Sequence, residues 1–140
     1  MTVSLPAPCV QILVPLVLEN PLTGMRCIVD AKVDTGSFAT VISSATLEKL
    51  QLSPFTEDWV ALANGDPARS VVCMCRAHLS EEETLDLPVY VMDSDNEQAL
   101  LGMDILSLGN FNASHYQSDD GQMWLRFSFS FLDDSVPPLG

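Results

Sequence analysis

Cys27-Ile28-Val29-Asp30-Ala31-Lys32-Val33-Asp34-Thr35-Gly36-Ser37 is the stretch on which the reading of this chain turns. A largely apolar strand from Cys27 to Val33 delivers a lone carboxylate, Asp34, into a Thr-Gly turn. Gly36 suits a sharp turn that a side chain would obstruct, and it leaves backbone groups open to close approach. Asp and Gly are ordinary turn residues, so the tripeptide alone also fits a tight turn between two strands. Its surroundings narrow the choice. The β-branched pair Val41-Ile42, a short helix and a hairpin follow in order, and then Leu100-Leu101-Gly102-Met103-Asp104-Ile105-Leu106 sets a second apolar-apolar-Gly segment further along the chain.

Taken together, the two stretches resemble the retropepsin-like (retroviral-type) aspartic protease family over approximately Val10 to Phe111. The resemblance implies a mostly β fold, a single-domain closed β-barrel of the acid-protease type with one or two short helices, spanning residues 1–140. In that family each subunit supplies one Asp-Thr-Gly, and two copies of the loop meet on a two-fold axis. This chain contains one copy, so the resemblance implies a homodimer with Asp34 of each subunit as the catalytic group. Two carboxylates about 3 Å apart cannot both ionise, so they share one proton. One then serves as base and the other as acid, activating a water against a peptide carbonyl without a covalent intermediate. No metal or cofactor is called for. The implied partners are a second copy and a peptide or protein substrate. The competing reading is a catalytically silent dimerisation or peptide-binding module of the same fold.

The resemblance also assigns the residues around Asp34. Thr35 is the hydroxyl that reaches across the axis to the partner loop, and Leu101, Gly102, Thr40 and Asp104 pack and hydrogen-bond behind the turn. Ser37 stands where retroviral enzymes usually carry Ala. A hydroxyl bonded to a carboxylate favours its charged form, which predicts a more acidic optimum. Phe38 and Met103 replace an Asp and an Arg that pair in retroviral enzymes. Losing both charges together avoids a stranded one and predicts an apolar contact in their place, with Phe38 walling a subsite. Ala63, Asn64, Gly65 and Asp66 lie at the tip of a hairpin between Trp59–Ala63 and Arg69–Leu79, in the position of a flap closing over bound peptide. Asn-Gly between apolar runs is a strong hairpin signal. The Leu-Leu-Gly-x-Asp-x-Leu segment is the version seen in cellular and bacterial relatives more than in retroviruses.

Composition agrees with a folded domain. Apolar residues make up 47% of the 140 and charged ones 18%, a globular balance. The net charge of −13, with six Lys and Arg in all, argues against nucleic acid and anionic membrane surfaces as partners, since phosphate binding relies on those residues. Val10–Leu18 is apolar but short, lacks a basic flank and is interrupted by Pro15, so it reads as a strand and not as a leader or a membrane insertion. The chain also fits a soluble piece of a longer parent. Cys73 and Cys75 share parity with Val71, Ala77 and Leu79, which places them on the apolar face of a strand as small core residues. Unpaired cysteines point to the cytoplasm or another reducing compartment. Asn112-Ala113-Ser114 matches a glycosylation acceptor but, without a leader, reads as a chance match.

The remaining elements follow from pattern. Val10–Glu19 and Met25–Val33 form a hairpin about Asn20-Pro21-Leu22-Thr23-Gly24. Ser43 or Ser44 caps a helix ending at Leu50. Ser80–Glu83 reads as a solvated acidic loop. Leu85–Val91 alternates as a half-buried strand in which Pro88 marks an edge or bulge. A helix runs from Met103 to Leu108 and is ended by Gly109. Trp124–Phe131 alternates as an amphipathic strand of the kind that commonly intermeshes between subunits in this family. Trp59 and Trp124 read as core anchors, and residues 136–140 as a loose tail.

Overall fold

Strand β2 (Leu13–Glu19) and strand β3 (Arg26–Val33) form the predicted hairpin, with Glu19 opposite Arg26 and Leu13 opposite Lys32. Gly24 sits at φ +79° in the connecting turn, where only glycine is unstrained. The strand starts at Leu13, later than the apolar run suggests, because Val10 is fully exposed. Its alternation then holds. Val14, Leu16 and Leu18 of β2 and Val29 and Ala31 of β3 all point into the core. The computed structural model describes residues 1–61 and 64–132; the expected loose tail at 136–140 lies outside the described residues.

Beyond Asp34 the chain enters strand β4 (Val41–Ser43) and helix α1 (Ser44–Leu50). Ser43 caps the helix by accepting from the Thr46 N–H at 3.1 Å, as the sequence predicts. Strand β5 (Pro54–Ala61) and strand β6 (Pro67–His78) make a long ribbon that leads back into the sheet, and strand β7 (Thr84–Met92) pairs along β6. Pro88 lies where β7 has β6 as its only partner, since pairing with β4 begins at Tyr90. Strand β8 (Ala99–Leu101), helix α2 (Met103–Leu106), strand β9 (Gly109–Gln117) and strand β10 (Met123–Phe131) follow. An N-terminal strand, β1 (Thr2–Pro6), pairs with β10.

The strands sort into two sheets. One has the order β2-β3-β8-β4-β7-β6-β5, and β2 pairs additionally with β6, which closes the sheet into a barrel and leaves β5 as an outer strand. The other is three-stranded, β1-β10-β9. One continuous core joins them, running from Leu16, Leu18 and Ile42 through Leu101, Ile105 and Leu106 to Phe127 and Phe129. At the barrel seam the buried Glu19 accepts from Arg26 Nε at 2.6 Å and Arg76 Nη1 at 3.0 Å and lies 3.1 Å from His78 Nε2. The pairing of Glu19 with Arg76 is thus both a ladder position and an ion pair.

Several local expectations change. Helix α2 stops at Leu106, and Gly109 begins β9 instead of capping a helix. A Cβ at Gly109 would collide with the backbone of Ser130, so this glycine serves close approach of two strands. Cys73, Cys75, Ala77 and Leu79 are buried as expected, yet Val72 and not Val71 joins them. The parity shifts there because the facing strand is irregular between Pro54 and Thr56, opposite Cys73 and Val72. Burial pushes the Cys75 thiol up to about 12. Glu83 is not simply solvated, since its carboxylate accepts from the Phe131 N–H at 2.9 Å and is held below the usual carboxylate range mainly by that bond. Trp59 is not a core anchor. It is 62% exposed on the ribbon, with the Arg69 guanidinium over its ring at 5.3 Å. Trp124 is half-buried and donates to the Ser118 hydroxyl at 3.2 Å.

Candidate active site

Asp34 is placed by the parallel pairing of β3 with β8. Val33 lies opposite Leu101, and the Asp34 N–H extends the ladder by one bond to the Leu101 carbonyl at 3.0 Å. The chain then turns away. Within the turn, the Gly36 N–H donates to Asp34 Oδ1 at 2.9 Å and the Ser37 N–H to the Asp34 carbonyl at 3.2 Å. A Cβ on Gly36 would come within 3.2 Å of that same Oδ1, so glycine lets the backbone donor approach the carboxylate without crowding it. Asp34 itself is partly exposed, with Thr35 and Gly36 more so.

Behind the turn, Thr40, Leu101, Gly102 and Asp104 lie together. Thr40 is wholly buried. Its N–H donates to Asp104 Oδ2 and its hydroxyl to Asp104 Oδ1, both at 2.8 Å. The Thr40 hydroxyl also accepts from the Gly102 N–H at 3.3 Å, and the Met103 N–H donates to the Ser37 carbonyl at 2.8 Å. Leu101 is buried in the core directly beneath. A Cβ on Gly102 would overlap the Ala39 carbonyl group, so the two segments cross at a distance only glycine permits. The segments 34–40 and 101–104 are therefore one interlocked unit. It presents a carboxylate outward from a rigid base.

Ser37 departs from expectation. Its hydroxyl donates to the Ala39 carbonyl at 2.7 Å, so it is spent on the backbone of the loop and not on a carboxylate. With no bond to a carboxylate, this hydroxyl gives no reason for a more acidic optimum. Phe38 also behaves differently from a buried substitute for a charge. It is 65% exposed and meets Tyr90 edge-on, with ring centroids 5.5 Å apart, whereas Met103 is partly buried against the core.

Tyr90 and Asp58 are the neighbours that sequence reasoning missed. The Tyr90 hydroxyl donates to Asp58 Oδ2 at 2.7 Å, tying β7 to the outer strand of the ribbon. That bond is the main cause holding the Asp58 carboxyl below its ordinary range. The reciprocal effect raises the Tyr90 phenol. Phe38, Tyr90 and Asp58 thus form a continuous wall from the turn to β5. The signal for it was the Tyr hydroxyl placed between Val89 and Val91, since a partly buried Tyr hydroxyl usually finds a partner.

At the far end of the ribbon, Asn64, Gly65 and Asp66 form the predicted turn. The Asp66 N–H donates to Asn64 Oδ1 at 2.9 Å, and Gly65 has φ +88°. Ala63 lies outside the described residues. Ribbon residues Phe55 and Trp59 are exposed. Cys9 is exposed and the other three cysteines are more enclosed, all four being free thiols. No helix among the described residues is long and apolar enough to cross a membrane.

Comparison with known proteins agrees with this architecture. The family described as "gag-polyprotein putative aspartyl protease" matches residues 26–108, which hold both the Asp34 turn and the Gly102 segment. The chain belongs to this family of retropepsin-like aspartic proteases. Among curated protein sequences no match is found. Among solved structures, the chain is similar to a retropepsin-like aspartic protease from Rickettsia conorii, at 12% identity and TM-score 0.56, over 95% of this chain and 94% of that one. It is also similar to the protease of EIAV (equine infectious anaemia virus), solved with the inhibitor HBY-793, at 13% identity and TM-score 0.54, over 72% and 89% of the two chains. The retroviral protease-like domain of Ddi1 from Leishmania major shares 16% identity at TM-score 0.51, over 91% and 98%. At these identities the solved structures speak for the fold. A mostly β closed barrel with two short helices is the retropepsin-like architecture.

Proposed function

We propose that this chain is a homodimeric aspartic endopeptidase in which Asp34 from each of two subunits activates one water against a peptide bond. The observation that carries the reading is the interlocked base under Asp34, where both donors of Thr40 end on Asp104 and Gly102 lets the two segments cross. A fully satisfied buried polar network rigidifies what it supports, and a catalytic carboxylate has to be held in place by such a base. In the dimer the paired carboxylates share one proton, so one accepts a proton from water while the other donates to the substrate carbonyl. Neither a metal nor a cofactor enters that scheme.

The other roles follow from position. Thr35, exposed beside Asp34, is the hydroxyl that reaches the partner loop. Phe38 and Tyr90 wall a subsite suited to apolar side chains, and the Asn64–Asp66 tip belongs to the flap. Dimerisation brings together two chains of charge −13, a repulsion that eases as carboxylates protonate, so the dimer is tighter near pH 5 than near pH 8.

The test is cleavage of a diverse peptide mixture from pH 3 to 7, beside Asp34→Asn. New termini with the parent and none with the variant support the proposal. Equal cleavage by both ends it. No cleavage by a dimeric parent that still retains peptides favours the silent binding module.

A further inference from the structure

The outward face of the sheet that delivers Asp34 carries a row of residues in register across five strands. Leu13 of β2 lies opposite Lys32 of β3, Lys32 opposite Leu100 of β8, Leu100 opposite Val41 of β4, and Val41 opposite Tyr90 of β7. Side chains alternate between the faces of a strand, so Lys32 and Asp34 share one face while Val29, Ala31 and Val33 turn towards the core. Lys32 precedes the carboxylate by two residues, about 7 Å along the strand. All five residues of the row are half-buried. Leu13, Leu100 and Val41 stand apart from the core cluster, and Tyr90 meets Phe38 beside the turn. The row is a largely apolar floor running past Asp34, with one cation set into it.

That cation is unlike the others in the chain. Of the six Lys and Arg residues, Arg26 and Arg76 pair with Glu19, Lys49 with Glu97 and Arg69 with Glu57, while Arg126 lies over the Tyr116 ring at 4.5 Å. Lys32 has neither an ion-pair nor a ring partner among the described residues. The titratable groups on its own face of β3 are Asp30 and Asp34, and neither pairs with it; the strands on either side set Leu13 and Leu100 opposite it. An ammonium half-buried between apolar neighbours and lacking a counter-ion favours an incoming anion.

We propose that Lys32 sets substrate specificity, pairing its ammonium with the ionised side chain of a Glu or Asp residue that flanks the scissile bond. This rests on the proposed function above and names the substrate class of that same site. Leu13 and Leu100 suit the methylenes of such a side chain. In a two-fold dimer the two Lys32 residues lie on opposite sides of the Asp34 pair, so an acidic residue is favoured on either side of the bond. A chain of net charge −13 exerts no general attraction on acidic peptides, so the preference is local to this one side chain.

Matched peptides test this. A peptide cleaved by the parent is resynthesised with Glu, Gln or Lys at each of the two positions flanking its scissile bond, and both ends are capped to remove the terminal carboxylate. Near pH 6 the parent should prefer Glu to Gln by about tenfold in kcat/KM, the scale of one charge-assisted hydrogen bond. The preference should fade below about pH 4, where the peptide's own Glu takes up a proton. Lys32→Leu should bring the Glu-to-Gln ratio close to one, Lys32→Arg should keep it, and Lys32→Glu should favour the Lys peptide.

An equal Glu-to-Gln ratio in the parent and in Lys32→Leu overturns the inference and leaves the proposed function standing. So does a Lys32→Leu variant that slows all three peptides alike, which would give Lys32 a part in the fold, the dimer or the protonation of Asp34. A preference seen only with an uncapped peptide assigns the ammonium to a chain-terminal carboxylate and overturns the side-chain assignment. A parent that cleaves no peptide overturns the proposed function, and this inference with it.

Discussion

Thr40 and Asp104, 64 residues apart in sequence, form a two-bond clamp in which the Thr40 N–H and hydroxyl each reach one carboxylate oxygen at 2.8 Å. Thr40 is fully buried, so neither donor has water to fall back on. Asp104→Ala leaves both unsatisfied, which costs about 1–3 kcal/mol for each stranded group. The expected outcome is a lowered Tm together with lost turnover, measured by calorimetry and peptide cleavage. Asp104→Asn keeps one acceptor and should lie between the two. Unchanged stability in Asp104→Ala would show that the clamp is incidental.

Two glycines separate crossing from conformation. Gly102→Ala forces a Cβ into the Ala39 carbonyl group and should destabilise by about 1–3 kcal/mol through overpacking. Gly65 has open space around it but φ +88°, so Gly65→Ala should cost about 1–2 kcal/mol from backbone strain alone. Replacing Gly65 by Asn, which tolerates that region, should recover most of the loss, whereas Gly102→Asn should not. Denaturant melts of the four variants make the comparison.

The fold was legible where one face of a strand decides burial. Strands β2, β3 and β10 and the Ser43 cap come from period and capping chemistry that act locally. The Asp34 turn and the Gly102 segment were readable because each carries residues that its local geometry demands, a glycine where a Cβ would crowd Asp34 or overlap Ala39. What escaped depended on partners distant in the chain. Gly109 looks like a helix terminator until β10 crosses it, Trp59 looks like a core residue until its strand proves to be an outer ribbon, and the Tyr90–Asp58 bond joins strands whose pairing no local pattern specifies. Ser37 lies in the turn, but the direction of its rotatable hydroxyl is set by the nearest acceptor, here the Ala39 carbonyl.

Tyr90→Phe removes the hydroxyl that ties β7 to Asp58 while keeping the ring against Phe38. If this wall orders the ribbon over substrate, the variant should raise KM several-fold with a smaller change in kcat, while Phe38→Ala alters which apolar side chains are accepted. Steady-state kinetics on a cleaved peptide decide this. Unchanged KM and specificity in both variants would place the wall outside the substrate path.

Acid stability is bounded by the barrel seam. Glu19 is held below the ordinary carboxylate range chiefly by its bond from Arg26, and Asp86 by its bond from Arg76. Groups with depressed folded values contribute fully above the unfolded pKa, about 4, and lose that contribution as pH falls through the folded value. Tm should therefore be flat near neutrality and fall below about pH 4. Glu19→Gln should lower Tm at pH 7 and bring the two curves together towards pH 3. Parallel curves down to pH 3 would show that the seam does not couple to protonation.

Whether one catalytic site is built from two Asp34 side chains is tested most directly by subunit mixing. Parent protein at fixed concentration, well above its dimer dissociation constant, is allowed to exchange with an equal amount of Asp34→Asn before peptide cleavage is measured. If every site needs both carboxylates, random pairing leaves half as many parent homodimers, and activity should fall to about half. Activity that stays at its starting value after exchange would mean that each chain works alone, which contradicts the account.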